Sequence, residues 1–370
     1  MPSLATIGNE LYTGKRSPDI VGHRRRWLAV GLALVIGSLL VLGIKGINPG
    51  IEFRGGSQFT VSGAATLDQQ RAETVLADLG AGEPPRVSTV GTDSLRVQTG
   101  ELTPEQTDQV QQGLADAYGV PVEDVAATFV GPTWGAGVTA KAIQGLVIFL
   151  VLVSVVMAAY FRTWTMSLAA IGALLHDLVI TVGVYALVGF EVTPASVIGF
   201  LTILGYSLYD TVVVFDKVRE NNAHLLNQNK RTYAEGANLA VNQTLIRSIN
   251  TSVTGLLPVA SVLFVGAFLL GAGTLRDIAL ALFVGMLLST ASSIFIATPL
   301  EVVLRERQAP IAKHTRSVLA HRAKARAAAG AIEDDAEDLP ATREELGVGV
   351  VAGHHLGTAA QPKRRTRGRR

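Results

Sequence analysis

Six apolar stretches constrain this chain more than any other feature of its sequence. A helix needs about 20 predominantly apolar residues to cross the roughly 30 Å hydrocarbon core of a membrane. The stretches lie at residues 27–44, 142–160, 166–188, 194–215, 249–270 and 278–300. Only 17% of all residues are charged, which leaves little polar surface for a fully soluble protein. The sequence therefore predicts a polytopic α-helical membrane protein with six transmembrane helices.

Basic residues near the ends of these stretches predict the orientation, because Lys and Arg concentrate on the cytoplasmic side of membrane proteins. They are frequent in the N-terminal tail (1–26), in the predicted loop at 216–248 and in the tail at 305–370. The turn between the fifth and sixth stretches contains only one basic residue, Arg276. We therefore expect both termini in the cytoplasm.

A cleaved signal peptide is the competing interpretation of the first stretch, since three arginines precede its apolar run. That run is longer than a typical signal-peptide core, and no small-x-small cleavage pattern follows it. We therefore expect residues 27–44 to remain as transmembrane helix 1.

Residues 45–138 form the one long segment expected on the outer side of the membrane, and their pattern predicts a small folded domain. Alternating residues at 56–62 predict a strand, residues 86–90 and 94–98 predict a hairpin around the turn at 91–93, and residues 122–130 predict a final strand. Residues 67–79 and 103–118 predict helices. The order β-α-β-β-α-β indicates an α+β, ferredoxin-like fold. An exposed sheet edge could bind an extended chain, and a passive spacer or docking surface is an equal alternative.

The sequence GIEFRGG at residues 50–56 joins the first stretch to this domain. Glycine permits positive φ and close backbone approach. Gly50, Gly55 and Gly56, with the charged pair Glu52 and Arg54 between them, therefore predict a fixed turn that couples the helix to the domain. A plain linker is the alternative.

The strongest candidate functional residue is Asp210, a carboxylate within the fourth stretch. An Asp at the centre of a membrane helix costs about 2.5–3.5 kcal/mol on translocon scales, so such residues usually face the protein interior and handle ions or protons. Tyr206 precedes it by one helical turn on the same face. On the fifth stretch, Arg247 and Thr251 begin a polar stripe at the cytoplasmic edge. Asp210 and Arg247 are expected to form either a structural ion pair or a proton relay.

Two further groups of polar residues lie in the remaining stretches. His176 and Asp177 form an ionisable pair midway along the third stretch, although adjacent residues point to different faces of a helix. Together with Tyr206 and Thr251, they are further candidates for a proton pathway. Small and hydroxylated residues on the sixth stretch can let helices approach closely, bond across the interface or hold water. These residues are Gly285, Ser289, Ser292 and Ser293.

Several kinds of chemistry are excluded by the sequence. The chain contains no cysteine, so it has neither a disulfide framework nor thiolate metal ligands. Its histidines lack metal-binding spacing, and there is no phosphate-binding loop or nucleophile elbow. We expect no cofactor, no metal and no enzymatic activity, so energy must come from elsewhere than ATP hydrolysed by this chain.

Four motifs together resemble the signatures of the SecF subunits of the SecD/SecF protein-export family. They are GIEFRGG at 50–56, GYSLYDTVVVFDKVREN at 205–221, NQTLIRSINTS at 242–252 and the small-residue sixth stretch. The resemblance covers about residues 25–306 and excludes both tails. Glu52 departs from the aspartate that is more usual in the first motif, although the charge is retained.

This resemblance implies half of a transporter of the resistance-nodulation-division type, with SecD as its obligate six-span partner in the bacterial plasma membrane. It implies that the pair uses the proton gradient to pull or release preproteins on the outer side, after the SecA motor and the SecYEG channel have started translocation. It also implies proton passage at Asp210 and Arg247. The alternatives are a half-pump that exports a lipid or small molecule, and a non-transporting scaffold of the channel.

The C-terminal tail, residues 305–370, lies outside the resemblance and is arranged in blocks of charge. An Ala/Arg-rich start leads to an acidic patch at 333–338 and a basic end, KRRTRGRR. This composition predicts a disordered cytoplasmic tail. Its basic end could bind anionic membrane lipids, a solvated tail is favoured, and no nucleic-acid partner is expected.

Overall fold

The computed structural model describes residues 4–13, 15–80, 85–90, 93–267 and 273–337. The helices are α1 (Leu4–Tyr12), α2 (Arg24–Lys45), α3 (Ile51–Arg54), α4 (Gln69–Asp78), α5 (Pro104–Tyr118), α6 (Pro132–Phe161), α7 (Trp164–Val188), α8 (Pro194–Asn221), α9 (Tyr233–Ser261), α10 (Gly273–Ser292), α11 (Thr298–Glu306) and α12 (Ala309–Glu337). The strands are β1 (Asn48–Pro49), β2 (Gly56–Val61), β3 (Arg86–Val90), β4 (Ser94–Thr99), β5 (Val125–Val130) and β6 (Glu191–Val192).

Six helical segments in the described part of the chain are long and apolar enough to cross a membrane, as predicted. They are α2, α6, α7, α8, α9 with a π-helical end at Val262–Ala267, and α10 continued through a π-helical segment at Ser293–Ala297 into α11. Most of these helices extend beyond the apolar stretches because their polar ends continue the hydrogen-bonded backbone. The last residues of the predicted fifth stretch, 268–270, lie outside the described residues.

The outer domain has the predicted element order and a four-stranded antiparallel sheet in the order β3-β4-β2-β5. This order is that of a ferredoxin-like fold. Phe59 and Val97 from the sheet and Leu76 and Leu114 from α4 and α5 are buried together in its core. The burial of alternate residues along β2 explains why a period of two in the sequence predicted the strand.

Local sequence signals fix the bounds of α5 within this domain. The Thr103 hydroxyl accepts a hydrogen bond from the backbone N–H of Gln106, and the Gln106 side chain accepts one from the Thr103 N–H. Pro104 occupies the first turn, and Gly119 ends the helix with φ of 67°. The predicted final strand at 122–130 begins as a 3-10 turn and becomes a strand only at Val125.

Two predicted boundaries differ from the structure. The predicted loop at 216–248 is mostly helical, since α8 continues to Asn221 and α9 begins at Tyr233. Thr232 and Glu235 form a capping box that starts α9, and Ala237 and Val241 are buried in the membrane-domain core. The outer segment also ends earlier than residue 138, because α6 begins at Pro132.

The prediction that the C-terminal tail is disordered from residue 305 is wrong for its first part. Helix α12 covers Ala309–Glu337, and alanine, which is frequent there, has the highest helix propensity. Ile311 and Val318 are buried, so packing supports its first turns. The first compact unit of the chain ends at Val318. Residues 338–370, including the basic end, lie outside the described residues.

Candidate functional site

Asp210 lies at the junction of three membrane helices, and only 5% of its surface is exposed. Its Oδ1 accepts a hydrogen bond of 2.6 Å from the hydroxyl of Ser248 on α9. Its Oδ2 accepts one from the hydroxyl of Ser293, the first residue of the π-helical segment after α10. Hydrogen bonds to a carboxylate are stronger than those between neutral groups. Neutral donors on two other helices therefore hold this carboxylate in place.

The close approach of α8 and α10 depends on glycine at two positions. A Cβ at Gly199 would lie 2.6 Å from the Cβ of Ala281, and a Cβ at Gly285 would overlap the side chain of Ile203. Small residues allow membrane helices to approach and bond across their interface. Single-turn π-helical segments are frequent at functional sites. The packing and the π-helical segment together bring Ser293 to Asp210.

Asp177 is a second buried carboxylate, with no exposed surface. Its Oδ2 accepts hydrogen bonds from Ser207 on α8, at 2.8 Å, and from Ser292 on α10, at 2.7 Å. Its Oδ1 lies 3.1 Å from Nδ1 of His176. The predicted ionisable pair of His176 and Asp177 is therefore in contact, although the two residues lie on different faces of α7.

The two carboxylates belong to one polar network. Ser292 and Ser293 are consecutive, and one binds Asp177 whereas the other binds Asp210. Ser207, which binds Asp177, lies one turn before Asp210 on α8. The network therefore joins α7, α8, α9 and α10 inside the membrane domain.

Arg247 is not part of this network. Its side chain is exposed, and its guanidinium donates a hydrogen bond of 3.4 Å to the hydroxyl of Tyr209. The structure gives no ion pair between Arg247 and Asp210 among the residues that it describes. The next residue, Ser248, is buried and takes the inward position. The structural ion pair that sequence analysis allowed is thus absent from this arrangement.

The remaining candidates on these helices lie near the network without bonding to Asp210. The buried hydroxyl of Tyr206 has no hydrogen-bond partner in the described part of the chain, and it lies close to Gly255 on α9. Thr251 is half-buried, one turn after Arg247. Ser248 was not among the residues predicted from the sequence. The available signal was a run of hydroxyl residues at four-residue spacing, Thr244, Ser248 and Ser252.

The segment at 50–56 forms an ordered turn. It contains the single-turn helix α3, which ends at Gly55 with φ of 82°, and Gly56 follows with φ of 126°. A Cβ at Gly55 would lie 2.9 Å from the Cα of Pro132 at the start of α6. The geometry therefore requires glycine at both positions. Within the turn, one carboxylate oxygen of Glu52 is buried without a hydrogen-bond partner in the described part of the chain.

The outer domain is attached to the membrane helices just beside this turn. Strand β1 pairs in parallel with β6, which lies between α7 and α8. Glu191 of β6 accepts from Arg96 at 2.9 Å and from Gln98 at 2.5 Å, both on β4 of the outer domain. Domain and helices are thus joined by backbone pairing and by an ion pair. No cluster of His, Cys, Asp or Glu that could hold a metal ion occurs within the described ranges.

Two family models match parts of this chain, and related proteins match most of it. The family model "Protein export membrane protein SecD/SecF, C-terminal" matches residues 109–307, and the "SecD/SecF GG Motif" matches residues 40–63, which include the ordered turn. The chain is 44% identical to protein translocase subunit SecF of Streptomyces coelicolor, over 100% of this chain and 98% of the relative. It is 42% identical to SecF of Mycobacterium tuberculosis strain H37Rv, over 93% of this chain and 80% of the relative.

A solved structure shows the same architecture. The crystal structure of SecDF from Thermus thermophilus, a translocon-associated membrane protein, superposes with a TM-score of 0.71 at 32% sequence identity. The match covers 79% of this chain and 39% of the SecDF chain. The fold, the two motif regions and the relatives agree, and the chain belongs to the SecF family of protein-export membrane proteins.

Proposed function

We propose that this subunit works with SecD to drive late, outer-side steps of preprotein export across the bacterial plasma membrane with the proton motive force. One observation carries the proposal. Asp210 is buried in the membrane domain, and its two carboxylate oxygens bind hydroxyls alone among the described residues. An intramembrane carboxylate without a cationic partner is suited to binding and releasing a proton.

Protonation of Asp210 would change the contacts between helices. A carboxylate only accepts hydrogen bonds, whereas a protonated carboxyl group also donates one. Ser248 and Ser293, which now donate to Asp210, lie on two different helical segments. A proton that enters or leaves would therefore alter the packing of α8, α9 and the end of α10. Each proton that crosses the membrane contributes about 2.3 kcal/mol per 100 mV of membrane potential.

The exposed face of α9 supports SecD as the partner. Arg247, Asn250 and Thr254 are exposed within this membrane-spanning helix. Polar and charged side chains are unfavourable in contact with lipid, so they usually face other protein or water. A second six-span half on this face would cover them. The SecDF structure is of a longer chain, of which this chain matches 39%.

Arg247 would promote release of the proton from Asp210 by changing its position. In the described arrangement it binds Tyr209, and approach to Asp210 in another state would favour release of the proton. Tyr206 and Thr251 flank the route between them. Asp177, with His176 beside it, would hold α7 against α8 and α10 in both states.

The ordered turn and the outer domain would transmit this motion. The outer domain has two edge strands, β3 and β5, and the edge of a sheet can bind an extended preprotein segment. We place this domain outside the membrane and both termini in the cytoplasm, with SecYEG, SecA and membrane lipids as the remaining partners.

The test is export of a reporter preprotein into vesicles that contain SecYEG, SecA, SecD and this subunit, with and without a proton gradient. Asp210→Asn should abolish the gradient-dependent increment and leave the remaining export intact. Asp216→Asn is the matched control, because Asp216 lies on the same helix, is exposed and binds the Tyr160 hydroxyl at 2.7 Å. Equal gradient dependence of Asp210→Asn and wild type, at matched membrane levels, would favour a scaffold. Export of a lipid or small molecule by the same vesicles would favour a half-pump.

A further inference from the structure

A polar cavity of about 600 Å³ lies between the outer domain and the outer ends of the membrane helices. Its walls come from β3 and β4 of the domain, the end of α2, the segment between α7 and β6, and the start of α10. It is separate from the buried network around Asp210. Four of its lining residues are cationic, namely Lys45, Arg86, Arg96 and Arg276.

Three of these cations have only neutral hydrogen-bond partners. Lys45 Nζ donates to the carbonyl of Leu187 at 2.9 Å, and the Arg86 guanidinium donates to Oδ1 of Asn48. Arg276 donates to the carbonyl of Thr89 at 3.4 Å. The structure gives none of the three an ion pair among the residues that it describes, and Nε of Arg276 is buried without a partner there.

The cavity also contains two carboxylates, and each already has a hydrogen-bond donor. Glu191 is paired with the fourth cation, Arg96, at 2.9 Å. Oδ2 of Asp277 accepts a hydrogen bond from the hydroxyl of Thr193 at 3.2 Å. The lining has four cations and two carboxylates, and this excess of positive charge favours an anion.

An apolar groove of about 540 Å³ adjoins the polar cavity. The strand pair β1–β6 separates the two spaces, because Asn48 and Glu191 line the cavity whereas Pro49 and Val192 line the groove. Ile47 lines both, so the two spaces meet at that residue. Apart from Arg54 and Thr139, the other groove residues are apolar and come mainly from α6, α7 and α8, including Ile143, Leu146, Leu178, Val182, Phe200 and Leu201.

We propose that the cavity and the groove together bind one anionic phospholipid, with its phosphate in the cavity and an acyl chain in the groove. An amphiphile uses both spaces, whereas free phosphate would leave the groove empty. A lipid without net charge would gain less from the excess of cations. Lys45 ends the first span and Arg276 begins the last, which places the cavity at the membrane boundary. The bound lipid would join the outer domain to the helices, independently of any proton path.

The test uses the purified complex with SecD in a neutral detergent and follows its thermal unfolding during a titration with short-chain phosphatidylglycerol. Phosphatidylcholine of the same chain length and inorganic phosphate are the two comparison ligands. Phosphatidylglycerol should raise the midpoint saturably, and the other two should raise it much less. Arg276→Gln should weaken the apparent affinity about fivefold, since one cation near a membrane surface contributes about 1 kcal/mol.

Two further variants separate the site from general electrostatics. Arg71→Gln removes one positive charge from the exposed surface of the same domain, away from the cavity, and should leave the affinity unchanged. Ile143→Trp fills the groove at a residue that is 59% exposed and should weaken binding without any change of charge.

Three outcomes would overturn the proposal. Equal shifts with phosphatidylcholine would show that the cations do not select the ligand. An equal shift of the thermal midpoint with inorganic phosphate would show that the cavity binds small anions and that the groove does not contribute. Displacement of phosphatidylglycerol by an acidic peptide at lower concentration would reassign the cavity to a preprotein segment.

Discussion

Asp177 and Asp210 lie on neighbouring helices and are held by consecutive residues of a third, since Ser292 donates to Asp177 and Ser293 donates to Asp210. The junction between α10 and the π-helical segment falls between these two serines. A change in the hydrogen bonding of Asp210 would therefore act directly on the residue next to the one that holds Asp177. This contact makes the two carboxylates one structural unit.

The hydrogen bond from Ser292 to Asp177 predicts that substitutions of these two residues have coupled effects on the free energy of unfolding. Ser292→Ala removes a hydrogen bond to Asp177 and should lower the free energy of unfolding by about 1–2 kcal/mol. Asp177→Asn should also destabilise, and the double variant should lose less than the sum of the two. Denaturant unfolding of the purified complex with SecD measures all three. Ser154→Ala is the matched control, because Ser154 donates only to the Leu150 carbonyl of its own helix. Strict additivity would contradict the coupling.

Two glycines of α8, Gly199 and Gly205, should respond differently to substitution by alanine. Gly199→Ala would bring two Cβ atoms within 2.6 Å, so α8 and α10 must move apart. Such overpacking costs about 1–3 kcal/mol. Gly205→Ala on the same helix meets no atom within 4 Å and should be neutral or slightly stabilising. Thermal midpoints of the two variants, measured side by side in the same detergent, should therefore move in different directions or by clearly different amounts. Equal midpoints would show that the close approach is not required.

The ordered turn predicts that glycine at residue 55 is required for more than its dihedral angle. Gly55→Ala combines a strained φ of 82° with a contact to the Pro132 backbone. Gly63→Ala has the same kind of strain, with φ of 71°, in open space. The strain alone costs about 1–2 kcal/mol, so Gly55→Ala should be clearly the more destabilised in thermal unfolding of the complex. It should also lose gradient-dependent export, whereas Gly63→Ala should retain it.

Much of the fold follows from periodicity in the sequence. Long, predominantly apolar runs predicted the six spans, and the alternation in β2 and the Thr103 cap predicted elements of the outer domain almost to the residue. The first part of the tail was mispredicted because its charge suggested disorder, although its alanines favour a helix and Ile311 packs against the protein. The pattern of charged residues in the sequence does not show which side chains pack against the rest of the protein.

The site was less predictable, because its geometry depends on which helix face turns inward. Asp210 could be found as a carboxylate in an apolar run, but its donors lie on other helices at large sequence separation. A π-helical segment adds a residue to one helical turn, so a regular period no longer shows which residues lie on which face of the helix. Arg247 is the most polar residue of its motif, yet its neighbour Ser248 faces inward. No local pattern pairs β1 with β6, since each strand has only two residues.

Proton flux through the complex tests the central claim most directly. Vesicles that contain only the purified complex with SecD and an internal pH dye would be given an imposed membrane potential. Asp210→Asn should abolish the protein-dependent acidification, and Asp216→Asn, which changes an exposed carboxylate on the same helix, should leave it at the wild-type rate. Acidification by Asp210→Asn at the wild-type rate would contradict a role for this carboxylate in proton passage.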